Sequence, residues 1–150
     1  MAENERIKIR GREGDAIIVH GTAVAWEGRG LLLIGASGSG KSALALELMA
    51  YGAQLVADDM VALESQADQL FARAPLGLTA AIEARGMGLL PAKLEPRARL
   101  KAVFDAECRT AARLPQLQEI CIQMVTIPLL HRPESGAVAP ALLQYLKWAE

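Results

Sequence analysis

The chain has 150 residues, a length that suits one domain with a sizeable buried core. Hydrophobic residues make up 52% of it and aromatic residues only 4%, so we exclude a disordered chain and expect an aliphatic core. The formal net charge of −1 gives no electrostatic basis for nucleic-acid binding.

Neither a membrane span nor secretion is expected. No apolar run approaches about eighteen residues, and the first twenty residues lack the apolar core of a signal peptide. The two cysteines, Cys108 and Cys121, are too few for a disulfide framework or a zinc site. We therefore predict a cytoplasmic protein.

The N-terminal segment alternates cationic and apolar side chains. An extended arm would place four cationic side chains on one side: Arg6, Lys8, Arg10 and Arg12. We interpret 1–12 as a solvated edge strand or a loose N-terminal arm. The whole chain, 1–150, is predicted to be a single domain.

Short apolar runs bounded by turn residues predict strands through the first half of the chain. The helix predicted from Lys41, rich in Ala, Leu and Glu, ends at Gly52, a favourable residue just past a helix. The predicted strands are Asp15 to His20, Thr22 to Trp26, Leu31 to Ile34, Gln54 to Ala57, Met60 to Glu64 and Gln69 to Arg73.

The second half gives weaker signals. A short extended segment is followed by a loop over 89–100, the stretch 109–118 is ambiguous, and a helix is predicted for Pro140 to Ala149. The extended segments are Ile82 to Arg85, Leu100 to Phe104, Ile120 to Met124 and Thr126 to Leu130. Many short strands and few helices predict an α/β fold with a mixed sheet, not a doubly wound parallel one.

A glycine-rich loop between a predicted strand and a predicted helix fits the pattern G-x-x-x-x-G-K-[ST]. Its glycines let backbone N–H groups converge, and the helix N-terminus adds partial positive charge, which suits phosphate. Lys41 would reach the β- and γ-phosphates, and the Ser42 hydroxyl would bind Mg²⁺. The loop comprises Gly35, Ala36, Ser37, Gly38, Ser39, Gly40, Lys41 and Ser42.

Two adjacent acids, Asp58 and Asp59, follow the strand after the helix. A strand–loop–helix–strand unit places neighbouring strand ends at one sheet edge, so these carboxylates are predicted to face the loop. One could help to hold Mg²⁺, and the other could accept a proton from an incoming hydroxyl.

Two further residues are weaker candidates. His20 ends an apolar strand and would reach the same edge if that strand lay beside the glycine-loop strand, although a single histidine there is more often structural. Glu83 could complete an oxygen shell around Mg²⁺, but its spacing alone favours a strand with one charged face.

A dinucleotide-binding interpretation is the rival. Gly38-x-Gly40-x-x-Ala43 fits its fingerprint, and Asp58 lies near the position of a ribose-binding acid. However, the first glycine of that fingerprint should follow the strand directly, Lys41 and Ser42 have no role in it, and the later strand–helix alternation is missing.

Five segments together resemble the catalytic, C-terminal domain of HPr kinase/phosphorylase, in its short single-domain form. The resemblance is strong from about Asp15 to Leu90. The segments are Val19-His20-Gly21, the glycine loop, the helix Ala43 to Leu48, Val56-Ala57-Asp58-Asp59 and Ile82-Glu83-Ala84-Arg85-Gly86-Met87-Gly88.

The resemblance implies transfer of phosphate from ATP to a serine of HPr, a carrier protein of the sugar phosphotransferase system. It also implies that Lys41 contacts phosphates, that Ser42 and Glu83 hold Mg²⁺, that His20 supports catalysis, and that Asp59, with Asp58 beside it, accepts the proton. The implied fold is a P-loop sheet domain similar to phosphoenolpyruvate carboxykinase, and the family is typically hexameric.

We match no residue after Leu90 to the arginine that the family uses in dephosphorylation. The leading hypothesis is therefore a Mg²⁺–ATP-dependent protein serine kinase acting on HPr, with no nucleic-acid or membrane partner. The alternatives are a nucleotide-sensing regulator that transfers no phosphate and a dinucleotide-binding oxidoreductase.

Overall fold

The computed structural model describes residues 6–150. This part of the chain forms a ten-stranded sheet, a two-stranded hairpin and two helices, which confirms the predicted α/β class with a large mixed sheet and few helices. The strands are β1 Ile9–Glu13, β2 Ala16–His20, β3 Thr22–Trp26, β4 Arg29–Ile34, β5 Gln54–Ala57, β6 Met60–Gln66, β7 Gln69–Arg73, β8 Ile82–Ala84, β9 Gly88–Leu90, β10 Arg97–Thr110, β11 Gln118–Ile122 and β12 Val125–Pro133; the helices are α1 Lys41–Ala50 and α2 Val138–Lys147.

The sheet runs in the order β1-β2-β6-β7-β10-β4-β3-β5, with β12 also pairing to β10 and β11 pairing to β12. The glycine-loop strand β4 lies between β10, which is parallel to it, and β3, which is antiparallel. Because β12 is also parallel to β10, the carboxyl ends of β4, β10 and β12 meet at one edge. The glycine loop leaves the sheet at that edge.

Strand β4 is buried on both faces, as its continuous apolar run predicts. Successive side chains of a strand point to opposite faces. Leu31 and Leu33 pack with the helices, whereas Leu32 and Ile34 pack into a second core formed by the curved sheet. The loop that follows β4 therefore begins at the end of a strand whose side chains are packed on both faces.

Both predicted helices are confirmed. Helix α1 gives way at Tyr51 and Gly52, and Gly52 has a φ of 111°, which glycine adopts without strain. Helix α2 begins two residues earlier than predicted and buries one stripe against α1 and the sheet: Ala139, Leu142, Leu143 and Leu146.

The predicted neighbouring positions of β4 and β5 are wrong. Strand β3 lies between them and is antiparallel to both. Strands β4 and β5 are therefore parallel but not adjacent, and their carboxyl ends still lie at the same edge.

Two smaller expectations are refined. Of the two alternatives for 1–12, the edge strand holds for Ile9 to Arg12, which belong to β1 and pair with β2, whereas 1–5 lie outside the described residues. The loop predicted over 89–100 contains the end of β9 and the start of β10. Strand β10 is 14 residues long because it exchanges its β7 partner for β12 part-way along.

Across residues 6–150 we find no helix with the length and apolarity needed to cross a bilayer.

Candidate functional site

The glycine loop joins the buried end of β4 to the N-terminus of α1. Gly40, at the N-cap of α1, has a φ of 95°, and no side chain caps the helix there. The first N–H groups of a helix have no intrahelical partner, so they remain available to an anion. A Cβ on Gly35 would lie 2.7 Å from the Ser39 hydroxyl oxygen, which explains why the loop begins with glycine.

Lys41 is folded into the loop. Its side chain is only 6% exposed, and its Nζ donates to the carbonyl oxygens of Gly35 at 2.7 Å and Ala36 at 3.0 Å. Burial lowers the pKa of Lys41, while the carboxylates of Asp58, Glu107 and Asp59 act in the opposite direction. A cation that already lies inside the loop needs only a small movement to reach an anion there.

Asp58 connects three segments through its carboxylate. Its Oδ1 accepts from Thr22 Oγ1 at 2.8 Å and from Ser42 Oγ at 3.0 Å. Its Oδ2 accepts from the backbone N–H of Glu83 at 3.2 Å. The prediction that the acid pair faces the loop is confirmed for Asp58, because Ser42 is the last residue of the loop.

Asp59 occupies a tight turn with different surroundings. Its φ is 71°, and the N–H of Met60 donates across it to the carbonyl of Asp58 at 2.8 Å. A positive φ is unusual outside glycine and is strained backbone of the kind that clusters at functional sites. Its side chain is 75% exposed, so its carboxylate is open to a molecule entering from solvent.

His20 supports Asp59 from the sheet side. Its Nδ1 lies 3.3 Å from Asp59 Oδ1, and its side chain is 12% exposed. Its Nε2 is buried and has no hydrogen-bond partner among residues 6–150. Strand β2, which ends at His20, does not lie beside β4, so the condition under which we expect His20 at this edge is not met. His20 reaches the site because it pairs with Met60, the residue after the acid pair.

A cavity of about 730 Å³ brings these groups together. It is lined by residues 37–38 and 40–42 of the loop, by His20, Asp58 and Asp59, and by mostly apolar residues of the 74–81 segment and Leu89. Glu83 and Arg85, on and after β8, also line it. The site is therefore assembled from five separate stretches of chain.

The oxygen donors at the loop fit a hard divalent cation. The Ser42 hydroxyl and the Asp58 carboxylate are in contact, and Glu83 lies on the wall of the same cavity. Within residues 6–150 there is no group of three or more His, Cys, Asp or Glu arranged to hold a metal by themselves. This combination suits Mg²⁺, which usually takes one or two protein ligands and keeps water or phosphate for the rest.

Two charged residues near the loop were missed by the sequence analysis. Arg132 is half-buried; its Nη2 lies 3.5 Å from where a Cβ on Gly40 would be, and its guanidinium is 5.8 Å from the centre of the Phe104 ring. Glu107 accepts the backbone N–H of Ala36. Both reach the loop from the carboxyl ends of parallel strands, and no local sequence signal reveals that pairing.

A family model described as the HPr serine kinase C-terminal domain matches residues 14–94. HPr kinase/phosphorylase of Bordetella pertussis is 38% identical over 123 residues, which cover 74% of this chain and 40% of that protein. HPr kinase/phosphorylase of Mycoplasmopsis pulmonis is 44% identical over 72 residues, 48% of this chain and 23% of that protein. This chain thus spans less than half the length of the curated relatives it matches.

The fold is also similar to a solved structure, that of the Hpr(Ser) kinase/phosphatase from Coxiella burnetii. The TM-score is 0.70, and the match covers 87% of each chain at 21% sequence identity. At that identity the likeness concerns the fold alone. It extends over most of the second half of the chain, where the sequence resemblance was weak.

Proposed function

The chain belongs to the family of the HPr serine kinase C-terminal domain, and from this membership we propose that it is an ATP-dependent protein serine kinase acting on the phosphocarrier protein HPr. Relatives that carry the name HPr kinase/phosphorylase support a kinase. Through HPr, it would regulate the sugar phosphotransferase system.

One observation carries the proposal: the Ser42 hydroxyl of the glycine loop and the acid pair meet in one cavity, 3.0 Å apart at Asp58. Phosphoryl transfer needs an anion cradle, charge neutralisation and an acceptor for the incoming hydroxyl proton within reach of each other. This arrangement offers all three from residues on separate elements. A glycine turn with only a structural role would not need the acids.

In the proposed mechanism, the loop N–H groups hold the nucleotide phosphates, and Lys41 leaves the carbonyls of Gly35 and Ala36 to contact them. Ser42 and Glu83 would hold Mg²⁺, with Asp58 fixing the Ser42 hydroxyl. When bound, Mg²⁺ would neutralise the charge that spreads over the phosphate oxygens.

Asp59 is the proposed proton acceptor. As the serine oxygen of HPr forms its bond to the γ-phosphorus and the bond to ADP breaks, the serine proton passes to the Asp59 carboxylate. Asp58 is less suited to that step because three donors already occupy its oxygens. His20, 3.3 Å from Asp59, would orient it.

The sheet order disfavours the dinucleotide-binding alternative. A dinucleotide fold requires adjacent parallel strands on either side of the first helix, whereas β3 separates β4 from β5 and runs antiparallel to both. We further propose, from the family resemblance, a P-loop domain of the phosphoenolpyruvate carboxykinase type, a cytoplasmic location and assembly into homo-oligomers.

The test is to incubate the purified chain with γ-labelled ATP, Mg²⁺ and HPr, and to map the modified residue by mass spectrometry. We expect label on one serine of HPr, and none when that serine is replaced by alanine. Nucleotide binding without any phosphorylated HPr would overturn the kinase proposal and support a nucleotide-sensing regulator.

A further inference from the structure

A bulge in β10 carries Glu107 out of the sheet beside the glycine loop. In the pairing of β10 with β12, Asp105 is opposite His131 and Arg109 is opposite Arg132. Between these two pairs β10 has three additional residues, whereas β12 has none. Glu107 is the middle one. Bulges often re-aim a side chain next to an active site, and this one lies just past the register position Asp105–Ile34, at the end of β4.

The bulge is held by a buried acid. Asp105 is 2% exposed, and its Oδ1 accepts the backbone N–H groups of Glu107 at 3.0 Å and Cys108 at 3.2 Å. Its Oδ2 is paired with the guanidinium of Arg6, whose Nε lies 2.8 Å away. A buried carboxylate is stable only when it is fully hydrogen-bonded, so this arrangement fixes the bulge in one conformation.

Glu107 contacts the start of the glycine loop. Its carboxylate accepts the backbone N–H of Ala36, and its Cγ lies 3.4 Å from where a Cβ on Gly35 would be. The carbonyls of the same two residues, Gly35 and Ala36, accept from Lys41 Nζ. The first turn of the loop is thus held from both sides, by a carboxylate and by an ammonium group.

We infer that Glu107 is a positioning residue that keeps the first turn of the glycine loop in the shape that binds phosphate. This rests on the proposed function, in which Lys41 leaves the loop carbonyls for the nucleotide. Once Lys41 has left those carbonyls, the Glu107 carboxylate still accepts the Ala36 N–H and holds Ala36 in place.

A supporting role and a blocking role for Glu107 make opposite predictions. If Glu107 instead occupied the phosphate site, removing it would strengthen nucleotide binding. If Glu107 supports the loop, it acts through the carboxylate oxygen that accepts the Ala36 N–H, whereas the negative charge of Glu107 repels the nucleotide. Glu107→Gln keeps an acceptor oxygen and loses the charge, so it should rescue what Glu107→Ala loses.

The experiment measures binding of magnesium–ADP by calorimetry and the Ala36 amide resonance by NMR without nucleotide. We expect Glu107→Ala to weaken binding about tenfold, the effect of losing one hydrogen bond, and Glu107→Gln to stay within about threefold of wild type. The control is Glu119→Ala, which removes an exposed glutamate on β11. Thermal unfolding of each variant shows whether it folds.

Unchanged or tighter binding in a folded Glu107→Ala variant would overturn the inference, as would an equal loss in Glu107→Gln and Glu107→Ala. If the wild type binds no magnesium–ADP, the proposed function fails by itself. The inference is then judged on the Ala36 amide, whose resonance and exchange protection should change in Glu107→Ala and be kept in Glu107→Gln. If the resonance and the exchange protection of the Ala36 amide do not change in Glu107→Ala, the inference is overturned.

Discussion

At the scale of single residues, the acid pair shows how one peptide bond can separate two roles. Asp58 has its two oxygens occupied by three donors, from β3, the loop and β8. Asp59 is turned outward by its positive φ and contacts His20 alone among the hydrogen-bonding side chains of residues 6–150. The backbone turn therefore decides which carboxylate can meet an incoming hydroxyl.

Asp59→Asn is expected to retain magnesium–ATP binding and to reduce phosphorylation of HPr by about 100-fold or more, because an amide cannot take the serine proton. Binding is measured by calorimetry and transfer with γ-labelled ATP. Asp68→Asn is the matched control: Asp68 also has a positive φ, 62°, which asparagine tolerates, and it lies in the β6–β7 turn. Undiminished transfer by Asp59→Asn would remove Asp59 from the mechanism.

Lys41→Met is expected to keep the fold and to reduce transfer by about 100-fold or more, because the aliphatic part of the side chain is retained and the charge facing the phosphates is lost. The control is Lys101→Met on β10, another lysine whose pKa is lowered by burial. Steady-state rates and thermal unfolding are compared for the two variants. Equal rates in both would exclude a special role for Lys41.

Thr22→Val tests the hydrogen bond from the Thr22 hydroxyl that holds the Asp58 carboxylate in place. The Thr22 side chain is fully buried, and its hydroxyl donates to Asp58. Losing this bond to a charged acceptor should lower the free energy of unfolding by about 1.5–3 kcal/mol, measured by urea denaturation. Since Ser42 still contacts Asp58, transfer should change little. Thr126→Val, on the exposed side of β12, is the control, and a similar loss there would contradict the idea.

The sequence predicts residues whose chemistry is local and misses those brought in by distant pairing. The glycine loop, Asp58 and Asp59 are recognisable because strand, loop and helix succeed each other within a few residues. Glu107 lies 71 positions after Ala36, which it contacts, and Arg132 lies 92 positions after Gly40, which it approaches. Only the parallel pairing of β4, β10 and β12 brings them there, and no periodicity encodes it.

At the scale of elements, β10 organises the site side of the sheet. Its first residues pair with β7, its middle pairs with β4, and its end pairs with β12. The pattern Leu100 to Phe104 predicts only the segment that is buried on both faces. The sequence predicts a loop over 89–100 and is ambiguous over 109–118, because the strand conformation of the two polar ends depends on partners far away in sequence.

Arg6→Ala tests the ion pair that connects Arg6 in the N-terminal segment to Asp105 on β10. Arg6 is partly exposed, but its partner Asp105 is buried, and removing the guanidinium leaves that charge without its ion pair. We expect a loss of about 1–3 kcal/mol in the free energy of unfolding, less than for a fully buried pair. Arg10→Ala, on the exposed edge strand β1, should change it by about 0.5 kcal/mol or less. Equal effects in urea denaturation would contradict this role for Arg6.

At the scale of the whole molecule, the cavity is lined by elements that lie far apart in the chain. The loop precedes α1, the acid pair joins β5 to β6, and Glu83 lies on the β8–β9 hairpin, which is separate from the main sheet. The hairpin packs through Ile82 into the core that holds the helices, and the N–H of Glu83 links it to Asp58. A ligand that contacts the loop, the acid pair and the hairpin together should therefore stabilise the protein as a unit.

Magnesium–ATP at about 100 times its dissociation constant is expected to add about 2.7 kcal/mol to the free energy of unfolding, which raises Tm by about 5–10 °C for a domain of this size. NAD should not raise it, because the sheet order lacks the adjacent parallel strands of a dinucleotide site. Chelating Mg²⁺ should remove most of the shift, since Ser42 and Glu83, the proposed Mg²⁺ ligands, then have no cation to hold between them and the phosphates. Lys41→Met should reduce the shift and Lys101→Met should not. A shift with NAD equal to that with magnesium–ATP would contradict the assignment of the glycine loop to a triphosphate.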